Sequence, residues 1–163
     1  MRKTFILGIG QTKVDEHWDK SLRDLAGEAI LSALQDADVN TFDALFVGNM
    51  MSASANRQQH IGAYLADWVG VRNIDAIRVE SACSSGAAAF RSAVLAVSSG
   101  DIDSAMVVGV EKMSDSPISE ITADLATAAD SDCEASQGVS FVALNALIMQ
   151  RYMHQYGWKH EDF

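Results

Sequence analysis

The sequence has little proline, few cysteines and no long apolar run. A single proline and the absence of low-complexity tracts argue against long disordered segments. The two cysteines, Cys83 and Cys133, lie far apart and lack the spacing of a metal site. No segment approaches the roughly 18 apolar residues of a membrane span, and no export signal is recognisable. The expectation is a cytoplasmic protein with reduced thiols and no membrane span.

Basic residues are also scarce. The 12 Lys and Arg face 22 Asp and Glu, which gives a net charge of -10 and a pI of about 4.6. An acidic surface repels phosphate backbones and anionic lipids, so the composition predicts no nucleic-acid partner. The acidic residues fit no calcium-loop spacing, and we expect no metal. Apolar residues make up 48% of the 163 residues, enough for the core of one domain.

Apolar runs and helical periodicity alternate along the chain. The predicted strands are residues 4–10, 44–47, 74–79 and 105–110, and the predicted helices are residues 21–37, 58–69, 84–98 and 141–156. Ser21 and Asp24 form a capping-box pattern at the start of the first helix. This alternation predicts an α/β fold with a mostly parallel central sheet that is covered on both faces.

A polar, acidic stretch over residues 114–137 interrupts the alternation, and a loop of this length predicts a functional or inserted region. We therefore expect a core of residues 1–113 together with the helix of 138–157. Residues 158–163 resemble the start of a further helix, so we expect the domain to continue beyond them. Gly8 and Gly10 follow the first strand, but the third glycine of a dinucleotide fingerprint is absent, and we expect no cofactor.

Cys83 carries the most informative local chemistry. An apolar strand ends at Val79, small residues follow, and an alanine-rich helix begins, which places Cys83 at or just before the helix start. The unpaired N–H groups there favour a thiolate, and the Cys83 N–H could stabilise an oxyanion. The small residues Ser84, Ser85 and Gly86 leave room for a thioester. The alternative is an inert, buried cysteine in a tight helix–sheet packing.

Four segments resemble thiolases. Residues 79–90, VESACSSGAAAF, are similar to the nucleophile segment, and residues 108–114, VGVEKMS, resemble the family's Gly-x-Glu-x-Met-Ser motif. The opening residues 8–12 and the helix of 141–157 are also similar. Glu80 and Ala87 depart from the commonest pattern and look more like archaeal and sterol-carrier-protein-linked thiolases. The likeness covers essentially the whole chain and identifies it as the N-terminal half of a thiolase.

The resemblance implies a layered βαβαβαββ unit, one of the two halves of the full fold. It implies that Cys83 accepts an acyl group from acyl-CoA, for condensation of acetyl-CoA to acetoacetyl-CoA or for the reverse thiolysis of 3-ketoacyl-CoA. Met113 and Ser114 would line the edge of the substrate cavity. Coenzyme A enters as part of the substrate, with no separate cofactor. A homodimer or tetramer is implied, with strand 74–79 at the dimer contact.

The resemblance also implies that parts are missing. The family's catalytic histidine and second cysteine lie in its C-terminal half, and neither motif occurs here, so we assign neither role to Cys133 or to a histidine. We expect this chain alone to be inactive, with its second half in the same or a separate chain. Two alternatives stay open: a ketoacyl or hydroxymethylglutaryl-CoA synthase, against which Glu111, Met113 and Ser114 argue, and a non-catalytic subunit that binds acyl-CoA or lipid.

Overall fold

A parallel sheet of three strands organises the first part of the chain, in the computed structural model that describes residues 2–163. The strands are β1 (Ala44–Gly48), β2 (Asp75–Val79) and β3 (Ala105–Gly109), in the order β2-β1-β3. All residues of β1 are buried, as expected for a strand with a neighbour on each side. Gly48 pairs with Val79 and with Gly109, so the three carboxyl ends lie at one edge of the sheet.

Helices cover both faces of this sheet: α1 (Leu22–Ala37) and α2 (Ile61–Trp68) on one face and α3 (Ser85–Ser99) on the other. Side chains of β1 alternate between the faces. Leu45 and Val47 pack in a cluster with residues of α1 and α2, whereas Ala44 and Phe46 pack with residues of α3. The predicted α/β fold with a parallel sheet covered on both faces is therefore confirmed.

Local signals fix the ends of the first two helices. At α1 the Asp24 N–H donates to Ser21 Oγ at 3.3 Å, and the Ser21 N–H donates to Asp24 Oδ2 at 2.9 Å. The predicted capping box is therefore confirmed. Helix α2 begins three residues later than the pattern predicted. His60 has a left-handed φ of 55°, which a right-handed helix cannot include.

The prediction of a buried strand at residues 4–10 is wrong. These residues form no strand, and the side chains of Phe5 and Ile9 are 79% and 74% exposed. Their backbone instead lies against α1. A Cβ added to Gly8 would lie 2.5 Å from Ala33 O, and one added to Gly10 would overlap the backbone at Ala29. An apolar run becomes a strand only where another strand pairs with it, and none does so within residues 2–163.

A second unit spans Pro117–Phe163, and the first ends at Ser116. It contains α4 (Ile118–Ala126) and α5 (Phe141–Tyr156), so the segment predicted as an inserted loop, residues 114–137, contains α4 and a short 3-10 turn at Ala135–Gln137. Helix α5 starts and ends where predicted, with Ser140 Oγ accepting from the Ala143 N–H at 3.2 Å. The assignment of this helix to the core stays a prediction. Within residues 2–163, the structure has no helix long and apolar enough to cross a membrane.

Candidate active site

Cys83 lies in the short connection between β2 and α3, at the carboxyl edge of the sheet. The chain leaves β2 at Val79, passes through a short 3-10 turn at Ala82–Ser84 and enters α3 at Ser85. The Cys83 side chain is exposed. The structure therefore places Cys83 just before a helix start, as the sequence predicts, and the inert buried alternative does not describe it. Its role as the nucleophile stays a prediction.

Ala82, the residue before Cys83, has a left-handed φ of 46°. A residue with a Cβ adopts this region at a cost of about 1–3 kcal/mol, so its surroundings must hold it there. Side chains bind both of its backbone polar groups. The Ala82 N–H donates to Glu80 Oε1 at 2.5 Å, and Ser85 Oγ donates to Ala82 O at 2.6 Å. Glu80, which departs from the commonest family pattern, thus helps to stabilise the backbone conformation of Ala82.

The Ser85 hydroxyl also accepts a hydrogen bond from the Ser81 N–H at 2.9 Å. Ser85 is only 4% exposed, and its hydroxyl therefore bridges the residues on the N-terminal side of Cys83. None of the hydrogen bonds found within residues 2–163 uses the Cys83 N–H. This donor lies at the positive end of α3, and its role toward a developing oxyanion stays a prediction.

The first turn of α3 lies directly on the central strand. A Cβ added to Gly48 would lie 2.6 Å from Gly86 Cα and 2.7 Å from Ser85 O. Glycine at 48 is therefore required for the present distance between helix and strand. At Gly86 itself an added Cβ would meet nothing within 4 Å. The position where a side chain at residue 86 would start is therefore open, and the role of this space in substrate binding stays a prediction.

Asn49 joins the carboxyl ends of all three strands. It is 1% exposed, and its N–H donates to Val79 O at 3.3 Å. Its Nδ2 donates to Val110 O at 2.8 Å, and its Oδ1 accepts from the Ser52 N–H at 2.9 Å. Asn49 was not among the site residues predicted from the sequence. The available signal was a polar amide directly after the glycine that ends a fully apolar strand.

Glu111 follows β3 at the same edge of the sheet. Its carboxylate accepts hydrogen bonds from the N–H groups of Met50 and Met51, the second at 3.3 Å. Burial raises the pKa of the Glu111 carboxyl, and these two amides, together with the charge of Arg78, offset part of the rise. Glu111, which follows β3, therefore holds the turn after β1 in place through these two hydrogen bonds.

Lys112 holds one of the two predicted substrate residues, Ser114, through a hydrogen bond. Its ammonium, 2% exposed, donates to Ser114 Oγ and His17 O at 2.7 Å each and to Asp115 Oδ1 at 2.5 Å. Met113 is 45% exposed. No hydrogen bond within residues 2–163 joins Met113 or Ser114 to Cys83, so their substrate contacts stay predictions. Lys112 was not predicted from the sequence, because its burial also depends on His17 O, an acceptor that lies 95 residues away along the chain.

Cys133 and the histidines are the other candidate groups. Cys133 is exposed and belongs to the second unit. The His17 ring bonds Lys13 O at 2.7 Å, and no histidine in the described part of the chain is hydrogen-bonded to Cys83. Within residues 2–163, no three or more His, Cys, Asp or Glu side chains form a cluster suited to a metal ion.

The fold and the site define an α/β domain with an exposed cysteine between a parallel strand and the next helix. The crystal structure of 3-oxoacyl-[acyl-carrier-protein] synthase III from Aquifex aeolicus VF5 shares this fold, with a TM-score of 0.54 and 20% identity. The match covers 59% of this chain and 31% of that one. The family description "Thiolase, N-terminal domain" matches residues 4–157. The chain therefore belongs to the thiolase family, and the predicted resemblance is confirmed.

Three curated relatives match 99% of the chain, and two of them are acetyl-CoA acetyltransferases. The acetyl-CoA acetyltransferase of Methanothermobacter thermautotrophicus is 44% identical, and the match covers 42% of its length. The acetyl-CoA acetyltransferase of Methanocaldococcus jannaschii is 41% identical, over 41% of its length. The chain thus spans about two fifths of the length of these relatives.

Proposed function

We propose that this chain supplies the acyl-accepting nucleophile of a thiolase-type acyltransferase, and that Cys83 is that nucleophile. The observation that carries the proposal is the exposed Cys83 at the carboxyl edge of the sheet, next to the start of α3. The N–H groups at the start of α3 can stabilise the negative charge that develops during acyl transfer. Membership of the thiolase family supports the same assignment.

The proposed reaction has two steps. The Cys83 thiolate attacks the thioester carbonyl of an acyl-CoA, and the coenzyme A thiolate leaves, so the acyl group is transferred to sulfur. A second acyl-CoA then loses an α proton to a base, and its carbanion attacks the acyl-cysteine carbonyl. The Cys83 thiolate leaves, and 3-ketoacyl-CoA is formed. In the first step the Cys83 N–H would donate to the oxyanion.

The names of the two relatives favour acetyl-CoA as the substrate. Because the chain spans 42% of the first relative, we propose that residues outside this sequence supply the base and that the chain alone is inactive. These residues would lie in the same or a separate chain. We further propose a homodimer or tetramer located in the cytoplasm, where reduced thiols persist. Coenzyme A is part of the substrate in this scheme.

Incubation of the full-length protein with radiolabelled acetyl-CoA tests the nucleophile. We expect label on the peptide that contains Cys83, none in Cys83→Ala, and normal labelling in Cys133→Ala. Equal labelling of Cys83→Ala would refute the assignment. Release of acetyl-CoA from acetoacetyl-CoA by free coenzyme A then separates a thiolase from a synthase, since thiolysis is the reverse of the proposed condensation.

A further inference from the structure

We propose that the central strand sets the position of Cys83, and that Gly48 and Ser85 are the positioning residues that do so. The inference rests on the proposed function, because it assigns these residues to the same nucleophile. Neither residue needs to touch the substrate. Gly48 determines how close the first turn of α3 lies to β1, and the Ser85 hydroxyl transmits that position to the backbone before Cys83.

The contact at Gly48 is between two backbones. An added Cβ would lie 2.6 Å from Gly86 Cα, 2.7 Å from Gly86 N and 2.7 Å from Ser85 O. No flexible side chain lies there to move aside, so alanine at 48 must displace the helix start or the strand. The strand has little freedom, because β1 is paired on both edges and fully buried. The first turn of α3 is therefore the part that moves.

Displacement of that turn reaches Cys83 through Ser85. Its hydroxyl donates to Ala82 O at 2.6 Å and accepts from the Ser81 N–H at 2.9 Å. The φ of 46° at Ala82 persists only while neighbouring groups hold it. Loss of the Ser85 hydroxyl frees Ala82 to relax, and the direction of the Cys83 side chain and N–H changes with it. A misplacement of about 1 Å can lower the rate of a positioned reaction by roughly a hundredfold.

The test measures the reactivity of Cys83 in full-length protein with iodoacetamide and with radiolabelled acetyl-CoA. Peptide mass spectrometry quantifies alkylation of Cys83 and, as an internal reference, of the exposed Cys133. The variants are Gly48→Ala and Ser85→Ala. We expect each to lower the rate of acyl labelling by about tenfold or more and to change the pH profile of Cys83 alkylation, with Cys133 unaffected.

Matched controls separate positioning from general destabilisation. Gly8→Ala introduces a comparable clash, because the added Cβ would lie 2.5 Å from Ala33 O in α1, a helix that does not carry Cys83. Ser98→Ala removes a buried hydroxyl near the C-terminal end of α3, the helix that begins at Ser85. Both should retain parental Cys83 reactivity. If they lose labelling as much as the test variants do, or if the test variants label at the parental rate, the positioning role is refuted.

A third variant keeps the proposal testable if Gly48→Ala fails to fold. Glycine at position 82 adopts a positive φ without strain. In an Ala82→Gly background, Ser85→Ala should therefore cause a smaller loss than in the parent, whereas an equal loss contradicts transmission through Ala82. Should the parent fail to accept acetyl groups, the proposed function fails, and the alkylation ratio still decides whether Gly48 and Ser85 control Cys83.

Discussion

Replacement of Asn49 by alanine tests whether the three strand ends depend on one buried amide. The side chain makes two hydrogen bonds, to Val110 O at 2.8 Å and from the Ser52 N–H at 2.9 Å. Alanine removes both and leaves the two backbone groups without these partners. Because residue 49 is 1% exposed, water does not readily replace the amide.

The magnitude follows from these two bonds. Each contributes about 0.5–1.5 kcal/mol net, and a buried group left unpaired costs about 1–3 kcal/mol. We therefore expect Asn49→Ala to lower the free energy of unfolding by about 2–4 kcal/mol. With a urea slope of about 2 kcal/mol per molar, the unfolding midpoint should fall by roughly 1–2 M. Urea unfolding of the full-length protein, followed by circular dichroism, measures this shift.

Asn145→Ala is the matched control. It removes the same side chain from an exposed helix position, where Nδ2 donates to Phe141 O at 3.0 Å, and it should change the free energy of unfolding by less than about 0.5 kcal/mol. An effect of Asn49→Ala as small as that of the control would refute the reasoning. The strand ends would then be held by the backbone pairing alone.

Two further perturbations have expected outcomes. Asp43 accepts from Ser104 N at 2.8 Å and Asp103 N at 3.0 Å, and these bonds, led by Ser104, hold its pKa below the usual value. The stabilisation is thus present above the unfolded pKa of about 3.9 and disappears as pH falls through the folded pKa. Asp43→Asn should therefore lower the urea midpoint at neutral pH and match the parent in strong acid. Equal midpoints at neutral pH would contradict this. Leu65→Ala, at 0% exposure in the core, should lower the free energy of unfolding by about 2–5 kcal/mol in the same assay, and a loss below about 1 kcal/mol would mean that the site repacks.

Local patterns were sufficient to predict most of the fold. Hydrophobic periodicity and caps such as Ser21, which act within a few residues, predict the strand at 44–47 and the helices at 21–37, 84–98 and 141–156. The segment at 4–10 could not be predicted in the same way. Its apolar run looks like a strand, but strand formation depends on a pairing neighbour and not on composition alone.

In the candidate site, too, features that depend on neighbouring residues were predictable and the others were not. The position of Cys83 at a helix start follows from its neighbours in sequence, and so does the small residue at Gly86. The hydrogen bonds that shape the site were not predictable, because they join distant parts of the chain or depend on a backbone conformation. Asn49 bonds Val110 across 61 residues, and the bonds of Glu80 and Ser85 to Ala82 occur together with its left-handed φ of 46°.

The order of the strands also affects how the chain can fold as it is synthesised. The central strand β1 is made first, and both of its partners, β2 and β3, come later in sequence. One edge of β1 therefore stays unpaired until Gly109 has left the ribosome. An open apolar edge is prone to pair with other chains, so nascent β1 would benefit from a chaperone or from rapid synthesis of the next sixty or so residues.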